Sequence, residues 1–178
     1  MSLIVRQNFK KNARLFKSVQ QELRRVLGDD IFIEHIGSTA VKRMWGKNII
    51  DIVIGVSDER EVEKTAQKLE RHKFFRGRNH ASGPYIFMAS RQSETKSGDV
   101  HLHVVVRQSE AFNDFLSLKA YLCANGRAVS DYVAHKRFAV RQAQNDRERY
   151  KALKSLFMAK IIEDARKFNR VQNKIFKK

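Results

Sequence analysis

The sequence predicts an α/β (α+β) fold in which a mixed β-sheet is flanked by helices and followed by a C-terminal helical region. Strand patterns are concentrated in the first half of the 178 residues, and from residue 109 onward the apolar periodicity is helical. Residues 49–56 form an almost continuous apolar run, which is typical of a central strand covered on both faces. The length and a 42% hydrophobic fraction predict one domain over residues 1–178, sheet-rich over 30–107 and helical over 108–178.

The individual elements follow from the spacing of apolar residues and from turn residues between them. The predicted helices cover residues 5–27, 59–73, 109–125, 127–143 and 147–173. The predicted strands cover residues 31–36, 49–56, 84–90 and 99–106. Residues 91–98 are polar and predict a loop, or a hairpin turn at Ser97-Gly98, and Asn125-Gly126 is the predicted joint between two helices.

The chain is strongly basic. Its formal charge is +17, with 36 Lys and Arg residues against 19 Asp and Glu residues, and both ends of the chain carry an excess of positive charge. Such a field attracts RNA, a nucleoside triphosphate or an acidic lipid surface. A solvated surface explains the same composition, and charge alone does not choose among these interpretations.

The lengths of the apolar segments and the number of cysteines restrict which classes of protein this chain can belong to. No segment has the length of a bilayer-spanning apolar helix and no signal peptide is evident, so we expect a cytoplasmic location. The single cysteine, Cys123, excludes an intrachain disulfide and a cysteine-based zinc cluster. Cys123 lies in an apolar helical run, which predicts a buried structural thiol.

The first candidate site joins the Gly37-Ser38 turn to Asp51. Glycine lets the chain turn sharply after a strand, and exposed backbone N–H groups with the serine hydroxyl can hold a phosphate oxygen. Asp51 lies inside the apolar strand, where an acid is costly to bury unless it is paired, binds a ligand or borders a site. A structural alternative pairs Asp51 with Lys47 or Arg43, or hydrogen-bonds it to the turn.

A second candidate lies on the strand over residues 99–106. Asp99, His101 and His103 alternate along it and therefore share one face. Two imidazoles and a carboxylate can ligate a divalent metal, whereas paired strand histidines also occur simply hydrogen-bonded to polar neighbours. By the same parity, Glu34 and His35 beside the turn face opposite sides of their strand.

A third candidate is the pair Tyr150 and Lys154, one helical turn apart. The tyrosine could stack on a base while the lysine contacts a phosphate. The alternative is an ordinary surface pair beside inward-facing Leu153, Leu156 and Phe157.

Several separated blocks of this sequence, in one order over about residues 30–160, together resemble the GrpB family, which is assigned to the nucleotidyltransferase superfamily. The blocks are Glu34-His35-Ile36-Gly37-Ser38-Thr39-Ala40-Val41, Gly46-Lys47, Ile50-Asp51-Ile52-Val53-Ile54-Gly55-Val56, His101-Leu102-His103-Val104-Val105, Phe115-Leu116, Tyr121-Leu122, Asp131-Tyr132, Lys136-Arg137, Asp146-Arg147-Glu148, and Tyr150, Lys154 and Phe157-Met158.

The resemblance implies a mixed sheet with flanking helices and a site at the turn. Gly37 and Ser38 would hold phosphates, and Lys47, Tyr150 and Lys154 would contact the triphosphate or the base. Asp51 would be catalytic and, with His101 or His103, would hold Mg²⁺ or Mn²⁺.

The chain departs from the family pattern at two positions. Lys42 stands where the family usually has proline, and Val53 stands where the superfamily has a second acid. The stretch that should supply a third acid offers His101 and His103, with Asp99 nearby. A two-metal transfer needs several carboxylates to offset the charge of the ions.

Two main hypotheses follow. The chain is a nucleotidyltransferase that uses a nucleoside triphosphate and a divalent metal, or it is a non-catalytic module of the same fold that binds nucleotide or RNA through its basic surface. A basic amphipathic end over residues 166–178 is a third candidate, for docking on acidic lipid or protein, with a solvated helix end as its alternative. The chain has no Gly-rich loop followed by Lys-Ser/Thr, so nothing in it indicates kinase chemistry, and no pattern indicates an oligomeric state.

Overall fold

The computed structural model describes residues 4–77, 82–90, 99–144 and 146–175. The strands in these ranges are β1 (Val5–Arg6), β2 (Phe32–Ile36), β3 (Trp45–Gly46), β4 (Ile50–Val56), β5 (Phe74–Arg76), β6 (Tyr85–Ser90) and β7 (Val100–Val106). The helices are α1 (Phe9–Leu27), α2 (Glu59–Glu70), α3 (Glu110–Ala124), α4 (Gly126–Ala143) and α5 (Arg147–Ile175). A short 3₁₀ turn covers Ser38–Ala40.

The central sheet has the strand order β2-β4-β7-β6-β5. Strands β4 and β7 are parallel, and the other neighbours in this sheet are antiparallel. Strands β1 and β3 form a separate antiparallel pair. The predicted mixed sheet flanked by helices is therefore confirmed.

Strand β4 shows how the sequence assigns the two faces of the sheet. Ile50, Ile52 and Ile54 are fully buried in the core under α1 and α2. Asp51 and Val53 alternate with them and therefore lie on the opposite face. The apolar run is thus a strand covered on both faces, as predicted, but only one face is purely aliphatic along it.

Helices α3, α4 and α5 cover the opposite face. Phe112 of α3 packs on Ile36, Val53 and Val105 of the sheet. A second apolar cluster joins the helices to the segment after the 3₁₀ turn, through Val41, Met44, Leu122, Val129, Tyr132 and Ile161. A cleft remains between this helical layer and the sheet, next to the apolar clusters.

Local capping explains where two of the helices begin. The Asn8 side chain accepts a hydrogen bond from the Lys11 N–H, so α1 starts at Phe9 rather than at the predicted residue 5. Val5 and Arg6 instead pair with β3. The Asn125 side chain accepts from the Ala128 N–H and caps α4, at the joint predicted from Asn125-Gly126.

Helix α5 is joined to α3 by ion pairs near its C-terminal end. The Arg166 guanidinium donates to both oxygens of Asp114 at 2.6 Å and to Glu110 at 2.5 Å. The first residue of the predicted amphipathic end, Arg166, is therefore held against α3.

No described helix is long and apolar enough to cross a membrane.

Two burial predictions were wrong. Cys123 is exposed, although its neighbour Leu122 is buried. Leu156 is 78% exposed, so it does not face inward beside the half-buried Leu153 and Phe157. The predicted loop over 91–98, with its turn at Ser97-Gly98, lies outside the described residues, and the single domain over 1–178 stays a prediction.

Candidate functional site

The Gly37-Ser38 turn lies directly against Asp51. Strand β2 ends at Ile36, and Gly37 follows with a φ of 71°, a conformation that side chains other than glycine's rarely adopt. A Cβ atom on Gly37 would overlap the Asp51 carboxylate. Glycine is required here both by the backbone angle and by the close approach of the acid.

Asp51 is brought together with His101 and His103 by the parallel pairing of β4 and β7. In this register Asp51 is opposite His101, and His103 is opposite Val53. The His101 Nδ1–H donates to Asp51 Oδ1 at 3.1 Å, and His103 Nε2 lies 3.8 Å from the same oxygen. Burial acts to raise the pKa of Asp51, but the hydrogen bonds and positive charge of the two imidazoles hold it well below its usual value.

Tyr85 extends this group of polar side chains from the neighbouring strand β6. Its hydroxyl lies within hydrogen-bond distance of His103 Nδ1, at 2.7 Å, while His103 Nε2 on the other side of the ring faces Asp51. Burial raises the pKa of Tyr85, so the phenol stays protonated. The rings of Phe87 and Phe115 contact the His103 ring, which places the histidine in a largely apolar surround.

These residues do not fit the two-metal site of the nucleotidyltransferase superfamily. Val53, at the position of the second acid, is fully buried against Phe112 and other apolar side chains. In the described part of the chain, no three His, Cys, Asp or Glu side chains are arranged so that they could hold a metal ion together. Metal binding by Asp51, His101 and His103 stays a prediction.

Lys136 is a site residue that the sequence reasoning missed as a functional group. It is buried on α4, donates to the Trp45 carbonyl at 2.9 Å, and its ammonium lies 4.4 Å from the centre of the Tyr132 ring. Burial, with a smaller effect of Lys154, lowers the pKa of Lys136 to about 7. The available signal was its position: it lies four residues after the inward-facing Tyr132 and three before the inward-facing Ala139.

Tyr150 and Lys154 differ in their surroundings. Tyr150 is buried in a cluster with Ile4, Ala139 and Ala143, so the alternative of an ordinary surface pair is wrong for Tyr150, and its contact with a base stays a prediction. The Lys47 ammonium lies 5.2 Å from the centre of the Tyr150 ring. Lys154 is half-buried, and its side chain borders the cleft between the sheet and the helices.

The cleft has two parts that meet at Ser38, Asp51, Lys136 and Lys154. One part, of about 690 Å³, has an apolar wall made by Ile36, Phe115, Leu118, Leu122 and Met158. The other, of about 490 Å³, is bordered by Gly46, Lys47, Ile49, His101 and Tyr150. We name these the apolar part and the cationic part of the cleft.

Glu34 and His35 face opposite sides of β2, as parity predicts. Glu34 forms an ion pair with Lys119 of α3 on the cleft side. His35 is buried on the other side, stacked on Phe16 at 4.8 Å between ring centres and within 2.9 Å of the Thr39 hydroxyl. Burial lowers the pKa of His35 to about 4, so its imidazole is neutral. His35 therefore belongs to the core rather than to the cleft.

Comparison with known proteins places this arrangement in a family. Residues 4–164 match the family model described as GrpB protein. The chain belongs to the GrpB family. A glutamate-rich protein GrpB of Alkalihalophilus pseudofirmus is 29% identical over 154 residues, which cover 85% of this chain and 88% of that protein. A UPF0157 protein of Streptomyces coelicolor is 31% identical over 150 residues, covering 81% and 75% of the two chains.

Solved structures show the same fold at lower identity. The crystal structure of GrpB from Enterococcus faecalis is 20% identical and covers 93% of this chain and 98% of that one, with a TM-score of 0.80. The Cid1 poly(U) polymerase bound to MgGTP is 15% identical with a TM-score of 0.51, and the match covers 75% of this chain but 44% of the polymerase. This GrpB-family chain therefore has a nucleotidyltransferase-like fold.

Proposed function

We propose that the cleft binds a nucleoside triphosphate, with the phosphates in the cationic part and the base in the apolar part. The observation that carries this proposal is the meeting of the two parts at the Gly37-Ser38 turn. A nucleotide has the same division, since its phosphates are charged and its base is flat and largely apolar on its faces. The two lysines at the meeting point, Lys136 and Lys154, border both parts.

The cationic part has the groups that bind phosphate oxygens. Lys47, Lys136 and Lys154 border it, and the Ser38 hydroxyl lies beside them. Ammonium groups in a partly dry cleft attract anions more strongly than they do in water. Asp51 is the acidic residue among these side chains, and its carboxylate accepts a hydrogen bond from His101.

The apolar part suits a base or sugar. Phe115, Leu118 and Met158 form a wall of soft, flat or flexible side chains.

Calorimetric titration with ATP, GTP, CTP and UTP tests the proposal. Lys154→Ala should weaken nucleotide binding by roughly tenfold, because one charged hydrogen bond contributes about 1.5 kcal/mol. Lys151→Ala is the matched control, since Lys151 lies on the same helix but is exposed and ion-paired with Glu148. Absence of binding for all four nucleotides, or equal affinities for the two variants, would contradict the proposal.

Metal-dependent nucleotidyl transfer is the second candidate, and the placement of Asp51 against the Gly37-Ser38 turn favours it. Mg²⁺ or Mn²⁺ would have to bind through Asp51 with His101 or His103, without the acid that Val53 replaces. Incubation with labelled nucleotides, each metal and an RNA or protein acceptor tests for transfer. Turnover that Asp51→Asn leaves unchanged would reject this role for Asp51.

The cytoplasmic location stays a prediction.

A further inference from the structure

A second surface lies next to the cleft, on the other side of strand β3. It consists of Arg6, Trp45, Arg137 and Arg141, and we name it the Trp45 ridge. The Arg137 guanidinium carbon lies 5.2 Å from the centre of the Trp45 ring. Arg6 is directly opposite Trp45 in the β1–β3 pair, so their side chains are on the same face.

The ridge has a shallow apolar floor. Ile4, Trp45 and Val140 line a depression of about 490 Å³ together with Arg137 and Arg141. Trp45 is half-buried there, and the three arginines are exposed. An aromatic ring in a shallow depression, with arginines around it, matches the chemistry of one unstacked base with its neighbouring phosphates.

The charge of the ridge is not neutralised within the described part of the chain. None of Arg6, Arg137 and Arg141 forms an ion pair with an acidic side chain there, in contrast to Arg76 and Arg166, which are paired with glutamate or aspartate. The lining of the depression includes no acid. The ridge is therefore a concentrated patch of positive charge on a chain whose formal charge is +17.

The ridge is continuous with the cleft. Lys136 lines the cationic part and donates to the Trp45 carbonyl, while the guanidinium of the next residue, Arg137, lies near the Trp45 ring. Lys47, two residues after Trp45, also lines the cationic part. A strand lying on the ridge would therefore lead past the mouth of the cleft.

We propose that the Trp45 ridge binds single-stranded nucleic acid, with a base stacked on Trp45 and the backbone phosphates held by Arg6, Arg137 and Arg141. Stacking on an aromatic ring requires an unpaired base, so a duplex fits the ridge less well. Single strands are preferred over acidic lipid because the ridge combines a flat ring in a depression with planar guanidinium groups, which suit bases and phosphates. This inference does not depend on the cleft binding a nucleotide.

Fluorescence anisotropy with a labelled RNA of about 12 nucleotides, a length within the span of known single-strand sites, tests the ridge. The triple variant Arg6→Gln, Arg137→Gln, Arg141→Gln should bind roughly tenfold more weakly or worse. The slope of log affinity against log salt should fall by about 2, since each lost phosphate contact removes about 0.7. A matched triple, Arg60→Gln, Lys68→Gln and Arg71→Gln, removes equal charge from exposed positions at α2 on the other side of the sheet and should keep wild-type affinity.

Trp45→Leu separates stacking from charge. It should weaken binding by roughly tenfold while leaving the salt slope unchanged, and thermal unfolding checks that the variant is folded. Equal losses in the two triples, equal affinity for a duplex of the same sequence, or no binding of RNA would overturn the proposal. If the ridge triple variant keeps its affinity for RNA and loses only its binding to phosphatidylserine vesicles, the proposal is also overturned. The ridge would then be assigned to a membrane surface.

Discussion

The two faces of the central sheet are built from the same strands but differ in chemistry. Under α1 and α2, strands β4 and β7 present fully buried isoleucine, leucine and valine side chains such as Ile52 and Leu102. Under α3, α4 and α5, the alternate positions carry Asp51, His101 and His103. One face therefore supplies most of the packing, and the other holds the polar groups of the cleft.

The difference shows how a fold with a buried sheet makes room for a site. Burial of apolar area is the main source of stability, and along β4 and β7 the aliphatic face packs apolar side chains at every inward position. The cleft face can then carry charged groups whose burial is costly, because their hydrogen bonds with each other offset part of that cost. The predictions below test this division of roles.

The largest expected effect is on the aliphatic face. Ile52→Ala should lower the free energy of unfolding by about 2–5 kcal/mol, because it leaves a cavity where the side chain is fully buried. Lys154→Ala on the cleft face should change it by less than about 0.5 kcal/mol. Urea unfolding measures both. A larger loss of stability in the lysine variant than in the isoleucine variant would contradict the division of roles.

The next effect comes from His35, the titratable side chain on the aliphatic side of β2. Burial lowers its pKa to about 4 from an ordinary 6.5, so the unfolded chain binds more protons than the folded chain between these values. Stability should therefore fall as pH decreases from 6.5 to 4, by about 3 kcal/mol. Urea unfolding of the protein and of His35→Gln over this range measures the difference.

An exposed histidine is the control for this test. His72→Gln should keep the pH dependence of the wild type, because His72 is exposed at the end of α2. The Asp51 carboxylate has its pKa lowered from 3.8, so its contribution is lost only at more acidic pH, outside the window. Equal slopes for the wild type and His35→Gln would show that His35 is not held neutral by burial.

The smallest expected effect is a change of nucleotide affinity with pH that depends on Lys136 in the cleft. The pKa of Lys136 is lowered to about 7 by burial, with Lys154 and Lys47 nearby and Asp51 acting in the opposite direction. Above pH 7 the amine is mostly neutral, so nucleotide affinity should fall by roughly tenfold between pH 6.5 and 9. Calorimetric titration of the wild type and of Lys136→Met with nucleotide over this pH range checks it. The fall in affinity should disappear in the variant. An identical pH profile for the two proteins would contradict a phosphate contact by Lys136.

Much of the fold could be predicted because its strongest signals are local. The run from Ile49 to Val56 has the length and β-branched content of a strand covered on both faces, and alternation along β7 placed His101 and His103 on one face. Strands β1, β3 and β5 were missed because two or three residues carry no periodicity. Helix α1 was extended too far because Val5 continued the apolar spacing, whereas the Asn8 cap decides its start.

The candidate site was predictable in part. The approach of Gly37 to Asp51 follows from adjacent elements, and the family resemblance grouped them with Lys47 and Lys154. Lys136 was not identified as a cleft residue, because a lysine among the small and aromatic inward positions of α4 is a weak signal without the packing of helix on sheet. The Trp45 ridge depends on contacts between β3 and α4, 92 residues apart at Trp45 and Arg137, and no local pattern reports them.

The ion pairs of Arg166 have a mechanical consequence for the cleft. Helix α5 carries Lys154 near one end, and Arg166 fastens it to Asp114 and Glu110 twelve residues farther along, about 18 Å at the rise of an α-helix. A helix of this length behaves as a stiff rod. Because Lys154 and Arg166 lie on one continuous helix, the contacts that hold α5 on α3, among them these ion pairs and the Asn169–Ser117 hydrogen bond, also fix where Lys154 stands at the cleft.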